Sequence, residues 1–103
     1  MSMRNRPTPV GEALQEYLKS SGLEQRLEEA GVLPEWAERV GPAIAAVTEP
    51  LRTSAGGVLL VAVRSSAWLS ELKLLERDIL KRLNEGRSKG RIQRIRFVMA
   101  DRG

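Results

Sequence analysis

The hydrophobic pattern changes its period between Val58 and Asn84, and this change constrains the fold more than any other feature. Residues 58–64 are rich in β-branched side chains that alternate between two faces, which predicts a strand. From Ser65 onward the apolar residues recur at helical spacing, which predicts one long amphipathic helix ending near Asn84. Because such a helix buries its apolar stripe against the sheet, the sequence predicts an α+β fold.

The long helix opens on two serines and carries Trp68 in its first turn. A serine oxygen accepts an otherwise unpaired amide at a helix start, so Ser65 or Ser66 is the predicted N-cap. We predict that Trp68 packs onto the sheet, near Val61 and Val63, as a core residue. The alternative hypothesis is that Trp68 belongs to a surface that another molecule recognises.

Shorter helical patterns precede the strand, and one more strand follows the long helix. Residues 49–53 are extended and residues 54–57 form a turn, so they make a hairpin with the strand. The last strand, residues 92–99, can run parallel or antiparallel to a hairpin strand. The helical faces before the hairpin are Val10, Leu14, Tyr17 and Leu18; Leu23, Leu27 and Ala30; and Trp36, Val40 and Ile44, with a kink at Pro42.

We therefore predict N-terminal helices, a β-hairpin, a long helix and a final strand, with helices covering a three-stranded sheet. At 103 residues the chain is a single domain, residues 10–103, preceded by a flexible basic arm, residues 1–9. The predicted core comprises Trp36, Leu59, Val61, Val63, Trp68, Leu72, Leu75, Ile79, Leu83, Ile95 and Phe97.

The chain has no cysteine and no histidine, which restricts its chemistry. A disulfide framework, a cysteine-ligated metal and histidine-dependent proton transfer are excluded. No nucleophile elbow, phosphate-binding loop or dinucleotide fingerprint occurs. We predict a protein without enzymatic activity, cofactor or metal. No apolar run approaches a membrane span and no signal peptide opens the chain, so we expect a cytoplasmic protein.

Charge divides the chain into an acidic and a basic part. Between Glu12 and Glu49 there are eight carboxylates and three basic residues, whereas residues 50–103 hold twelve basic and five acidic residues. One interpretation is that nucleic acid binds one face and a protein the other. The other is that both are ordinary solvated surfaces.

Cations cluster in the basic part. Three of them stand four residues apart on the long helix, three lie in the following loop, and two alternate outward on the last strand. Such charges suit phosphates, and the lack of exposed aromatic residues argues against base stacking, so we predict non-specific, salt-sensitive DNA contact. The predicted nucleic-acid-binding residues are Lys73, Arg77, Lys81, Arg87, Lys89, Arg91, Arg94 and Arg96.

A protein partner has two candidate surfaces. Leu74 lies opposite the apolar stripe of the long helix, next to Arg77, so it offers exposed apolar area ringed by charge. The open sheet face, with Leu60, Ala62 and Val98, could extend this surface. The second candidate is the acidic helix that carries Glu24, Glu28 and Glu29.

Several short motifs, in this order and spacing, resemble the DciA family. They cover about two-thirds of the chain. The first is similar to a W–VG–A–(S/T)–P pattern and the second to an L-V-V-S-S-x-W-x-x-x-L core. The matching residues are Trp36, Val40, Gly41, Ala45, Thr48 and Pro50; residues 59–63 with Ser65, Ser66, Trp68 and Leu72; and Leu80, Leu83, Asn84, Ile95, Arg96 and Phe97.

The resemblance implies a KH-like domain that binds the DnaB-type replicative helicase, assists its loading onto single-stranded DNA and contacts DNA itself. Two alternatives stay open: a stand-alone KH-like module that binds nucleic acid such as RNA, and a self-associating structural domain. The loop of residues 86–90 is one residue too long for the GxxG loop of KH domains. Whether the chain is a monomer or a weak dimer is left open.

Overall fold

The computed structural model describes residues 9–100. The described elements are α1 (Pro9–Ser21), α2 (Leu23–Ala30), a 3-10 turn (Leu33–Glu35), α3 (Trp36–Val40), α4 (Pro42–Val47), β1 (Thr48–Ser54), β2 (Val58–Val63), α5 (Ser66–Leu74), α6 (Glu76–Asn84) and β3 (Arg94–Met99). The predicted α+β class, with helices on a three-stranded sheet, is confirmed. The predicted arm lies outside the described residues except for Pro9, where α1 begins.

The sheet is mixed, and β2 is its central strand. β1 pairs with β2 antiparallel, as expected of a hairpin, and β3 pairs with β2 parallel. The register sets Leu59 beside Ile95 and Val61 beside Phe97, so the inward faces of β2 and β3 coincide. α5 and α6 connect β2 to β3 and cover this inward face, where Leu72 and Ile79 are buried.

Trp36 anchors the N-terminal helices to the sheet. Its side chain is 2% exposed, and its ring Nε1–H donates to Thr48 Oγ1 at 2.9 Å. The Thr48 hydroxyl in turn donates to the carbonyl of Ile44 at 2.7 Å. Because every polar atom of this chain of contacts is paired, the largest aromatic side chain can be buried without leaving its N–H unsatisfied.

The predicted single long helix is wrong: it breaks at Leu75, where φ is −93° and ψ is 4°. The Leu75 amide still donates to the carbonyls of Glu71 and Leu72, so the break is a tight turn between α5 and α6. An unbroken helix of 19 residues would be about 28 Å long, whereas a six-residue strand spans about 20 Å. The break keeps both halves of the apolar stripe on the short sheet.

Trp68 lies at the margin of the core and not within it. Its backbone N–H donates to Ser65 Oγ at 3.3 Å, the N-cap contact of α5. Its side chain is half-buried against the core cluster and borders a shallow cleft with Ala67 and Glu71. Leu75 is also only partly buried, because it occupies the helix break. Val32 and Ile92 are fully buried although the predicted core omits them.

The apolar stripe of α1 is not covered by the rest of the domain. Val10, Leu14 and Tyr17 are each more than half exposed, and Leu27 on α2 is exposed as well. The side chain of Leu18 lies outside the described part. The helical spacing therefore identified the helix correctly, but the stripe does not face this domain's core. None of the helices between residues 9 and 100 has the length and apolar character needed to cross a membrane.

Candidate nucleic-acid and partner surfaces

Most of the predicted nucleic-acid-binding cations are exposed and have no acidic partner among the residues that the structure describes. Within residues 9–100, the ion pairs are Arg26–Glu29, Arg39–Glu35 and Arg87–Glu35. Of the eight predicted residues, only Arg87 takes part in one. The other seven, Lys73, Arg77, Lys81, Lys89, Arg91, Arg94 and Arg96, are exposed in this part of the chain. Their charges are available to an external anion.

Arg87 is a structural residue, which contradicts its assignment to a nucleic-acid surface. Its side chain is only 11% exposed. Nη1 donates to the carbonyls of Glu28 and Gly90, and Nη2 lies 3.5 Å from Glu35 Oε1. The guanidinium thus ties the loop after α6 to α2 and to the 3-10 turn. The sequence around Arg87 does not predict the contact with Glu28, because the two residues lie about 60 positions apart.

The loop after α6 approaches α2 closely at Gly90. This glycine has a φ of +64°, and a Cβ there would lie 2.5 Å from the Cβ of Glu28. Any larger residue would push the loop away from the helix. Together with Arg87, this contact fixes the loop, so that Lys89 and Arg91 project from a held backbone.

One cationic cleft, of about 440 Å³, lies between the last turn of α6 and this loop. Arg91 Nη1 donates to the carbonyls of Asn84 and Arg87, and Arg82 Nη1 donates to the carbonyl of Val40. These bonds orient both guanidinium groups, and both residues are exposed. Arg82 was missing from the predicted set, although it directly follows Lys81. The cleft is lined by Lys81, Arg82, Asn84, Glu85, Gly86 and Arg91.

The helix break divides the predicted ridge of the long helix. Lys73 and Arg77 border one cleft of about 360 Å³, whereas Lys81 borders the cleft at the end of α6. The cleft beside Lys73 and Arg77 is also lined by Leu74, Glu76 and Leu80. Leu74 is 81% exposed, the most exposed of the described large apolar side chains. An exposed leucine between two unpaired cations is therefore present, as the sequence indicated.

The last two predicted cations, Arg94 and Arg96, lie on the side of the sheet that faces away from the helices. Arg94 and Arg96 alternate with the buried Ile95 and Phe97, so they project from the face of the sheet that the helices do not cover. The topology therefore does not bring the predicted cations onto one surface. It distributes them between the helical side and the open sheet face.

The acidic helix is not available as a whole. Glu29 is 3% exposed: its Oε2 accepts from Gln25 Nε2 at 3.2 Å, and Oε1 lies 3.8 Å from Arg26 Nε. Its assignment as a partner-binding residue is therefore wrong, because α2 turns it inward. Glu28 is exposed and Glu24 is partly exposed, so these two remain accessible. Within residues 9–100, no cluster of carboxylates could hold a metal ion.

Comparison with known proteins places most of the chain in one family model. The model of DciA, described as Dna[CI] antecedent, matches residues 9–97. A UPF0232 protein of Mycobacterium tuberculosis is 34% identical over 77 residues, 75% of this chain and 41% of that protein. A UPF0232 protein of Rhodococcus jostii is 30% identical over 92 residues, 89% of this chain and 48% of that protein. The chain thus spans less than half the length of these curated relatives.

Proposed function

This chain belongs to the DciA family, and from that membership we propose that it is an adaptor that binds a DnaB-type replicative helicase. In this proposal it assists the loading of the helicase onto single-stranded DNA during replication, in the cytoplasm, and has no enzymatic activity of its own. The family model matches nearly all of the described residues, which supports a role for the folded domain itself.

The observation that carries the proposal is the exposure of Leu74 between unpaired cations. The other leucines on these two helices pack inward or are partly covered; Leu72 and Leu83 are fully buried. A single exposed leucine is ordinary, but here it lines a cleft with Lys73 and Arg77, neither of which has an acidic partner among the described residues. Apolar area ringed by charge can supply both binding energy and electrostatic steering of a protein partner.

DNA contact is the second part of the proposal. The unpaired cations of the α6 cleft, the loop and the sheet face can neutralise phosphates at any sequence. In the described part of the chain, no exposed aromatic side chain lies among these cations to stack on bases, which agrees with binding that does not read sequence. The other candidate surface for the helicase is α2, through Glu24 and Glu28.

A loading assay tests the proposal directly. The DnaB-type helicase of the same organism would be mixed with a forked DNA that carries a single-stranded tail, and unwinding followed with and without the chain. We expect the chain to raise the initial rate of unwinding without hydrolysing ATP itself. An unwinding rate that is unchanged at saturating chain concentration would contradict the loading role.

A further inference from the structure

A β-bulge in β1 aims Arg52 onto the open face of the sheet. The pairing register shifts between Pro50 and Arg52, which leaves Leu51 without a partner in β2. Without the shift, strict alternation would place Arg52 on the face opposite Glu49. With it, Arg52 pairs with Leu60 and Glu49 pairs with Ala62, so both lie on the open face. Bulges commonly re-aim a side chain in this way.

The bulge aligns Arg52 with an arginine on the opposite edge strand. Leu60 is the partner of Arg52 in β1 and of Arg96 in β3, so the three residues form one row across the sheet. Neighbouring strands lie about 4.8 Å apart, which separates the Cα atoms of the two arginines by about 10 Å. Arg94 stands two residues before Arg96, about 6.6 Å along the strand on the same face.

The three arginines form a cluster of one charge sign. All three are exposed, and none has an ion pair or a side-chain hydrogen bond among residues 9–100. Glu49 shares this face but lies in a different row, so among residues 9–100 no acidic side chain is paired with the three arginines. Half-buried Leu60 and Val98 form an apolar floor beside the arginines. The cluster is therefore complementary to an anion that is extended along the strands and has an apolar component.

We propose that this open sheet face, with Arg52, Arg94 and Arg96, binds the phosphodiester backbone of single-stranded DNA. The inference rests on the proposed function for its ligand and deepens it, because it assigns DNA contact to the sheet and leaves the helical side to the protein partner. A guanidinium donates two parallel hydrogen bonds to a phosphate, which a lysine cannot do. The sugars of the strand would lie over Leu60 and Val98. With no aromatic side chain on this face, binding would not depend on base identity.

Two triple variants with equal charge loss test the assignment. The sheet variant carries Arg52→Gln, Arg94→Gln and Arg96→Gln; the matched control carries Lys73→Gln, Arg77→Gln and Lys81→Gln on the helical side. Binding to a fluorescent 30-nucleotide oligothymidylate would be measured by anisotropy between 50 and 200 mM salt, with oligouridylate of equal length as a second probe. Circular dichroism would confirm that both variants are folded, and binding to the DnaB-type helicase would be measured in parallel.

We expect the sheet variant alone to lose most of the affinity. The plot of log K against log salt has a negative slope, and the loss of three phosphate contacts to a single strand should reduce the magnitude of this slope by about 2. The wild-type chain should then lose about 20-fold more affinity than the sheet variant over this salt range.

Equal losses in the two variants would overturn the inference, because net charge alone would then account for binding. Absence of oligothymidylate binding by the wild-type chain would overturn it as well, as would tighter binding to oligouridylate. Helicase binding is measured separately and distinguishes the two proposals. If only the assignment of DNA to the sheet is wrong, the wild-type chain still binds the helicase. If the adaptor proposal is wrong, the wild-type chain does not bind the helicase. If the sheet variant unfolds, the single variant Arg52→Gln, which lies in the bulge, should still reduce the slope by about 0.7.

Discussion

Asn84 and Ile92 are joined by two hydrogen bonds through one buried amide group. Asn84 Nδ2 donates to the carbonyl of Ile92 at 2.8 Å, and its Oδ1 accepts from the Ile92 amide at 2.7 Å. The side chain thereby satisfies both backbone groups of Ile92, which precedes β3 and is 1% exposed. The end of α6 is fixed to the start of β3, which sets the cationic loop between them.

Replacing Asn84 by alanine should destabilise the domain, because it leaves two buried backbone groups of Ile92 without a partner. We expect a loss of about 2–4 kcal/mol in the free energy of unfolding, measured by urea denaturation. The matched control is Ser88→Ala in the exposed loop, which should change stability by less than about 0.5 kcal/mol. Equal stability of the two variants would show that the Asn84 amide does not hold this junction.

The two tryptophans should differ in their contribution to stability. Trp36 is buried and hydrogen-bonded to Thr48, so Trp36→Ala should cost about 3–5 kcal/mol. Trp68 is half-buried, so Trp68→Ala should cost clearly less. Both values follow from denaturant unfolding of the variants. A Trp68 variant with wild-type stability that no longer binds the helicase would make Trp68 an interface residue, the alternative that the sequence left open.

Arg87 should matter for stability and not for DNA binding. Its guanidinium bonds to α2, to the loop and to Glu35, so Arg87→Gln should lower stability by about 1–3 kcal/mol. Below the melting temperature, the salt dependence of oligothymidylate binding should equal that of the wild-type chain. Lys89→Gln, an exposed neighbour in the same loop, is the control for the loss of one charge and should change stability by less than about 0.5 kcal/mol. A stable Arg87 variant with a reduced salt slope would restore Arg87 to the nucleic-acid surface.

Much of the fold follows from periodicity, because period two and period 3.6 distinguish β2 from the helices after it. The inward faces of β2 and β3 followed from the same alternation. The break at Leu75 could not be predicted, since the helical stripe continues through it and only the short sheet makes the bend favourable. The exposed stripe of α1 could not be predicted either, because periodicity shows that a helix is amphipathic but not what covers it.

The candidate site was only partly predictable, because contacts between residues far apart in the sequence decide which side chains are buried. Exposure of Leu74 followed from its position opposite the apolar stripe. Burial of Arg87 and Glu29 depends on how α2 meets the loop after α6, and no local pattern encodes that contact. Arg52 was missed because a single unpaired residue, Leu51, reverses which side chains face outward.

Leu74→Glu should separate helicase binding from folding. Because Leu74 is largely exposed, the melting temperature of the variant should stay within about 2 °C of the wild-type value. The affinity of the variant for the helicase should fall at least tenfold, as expected when an interface anchor is lost. Leu51→Glu, at an exposed leucine on the sheet, is the matched control and should bind as the wild type does. Unchanged helicase affinity of the Leu74 variant would exclude this surface and direct attention to Glu24 and Glu28.

The adaptor role itself is tested most directly by titrating the wild-type chain into the purified DnaB-type helicase of the same organism in a calorimeter. We predict saturable binding in the absence of DNA, at physiological salt. The absence of any binding heat, together with no co-elution of the two proteins in gel filtration, would contradict the adaptor role.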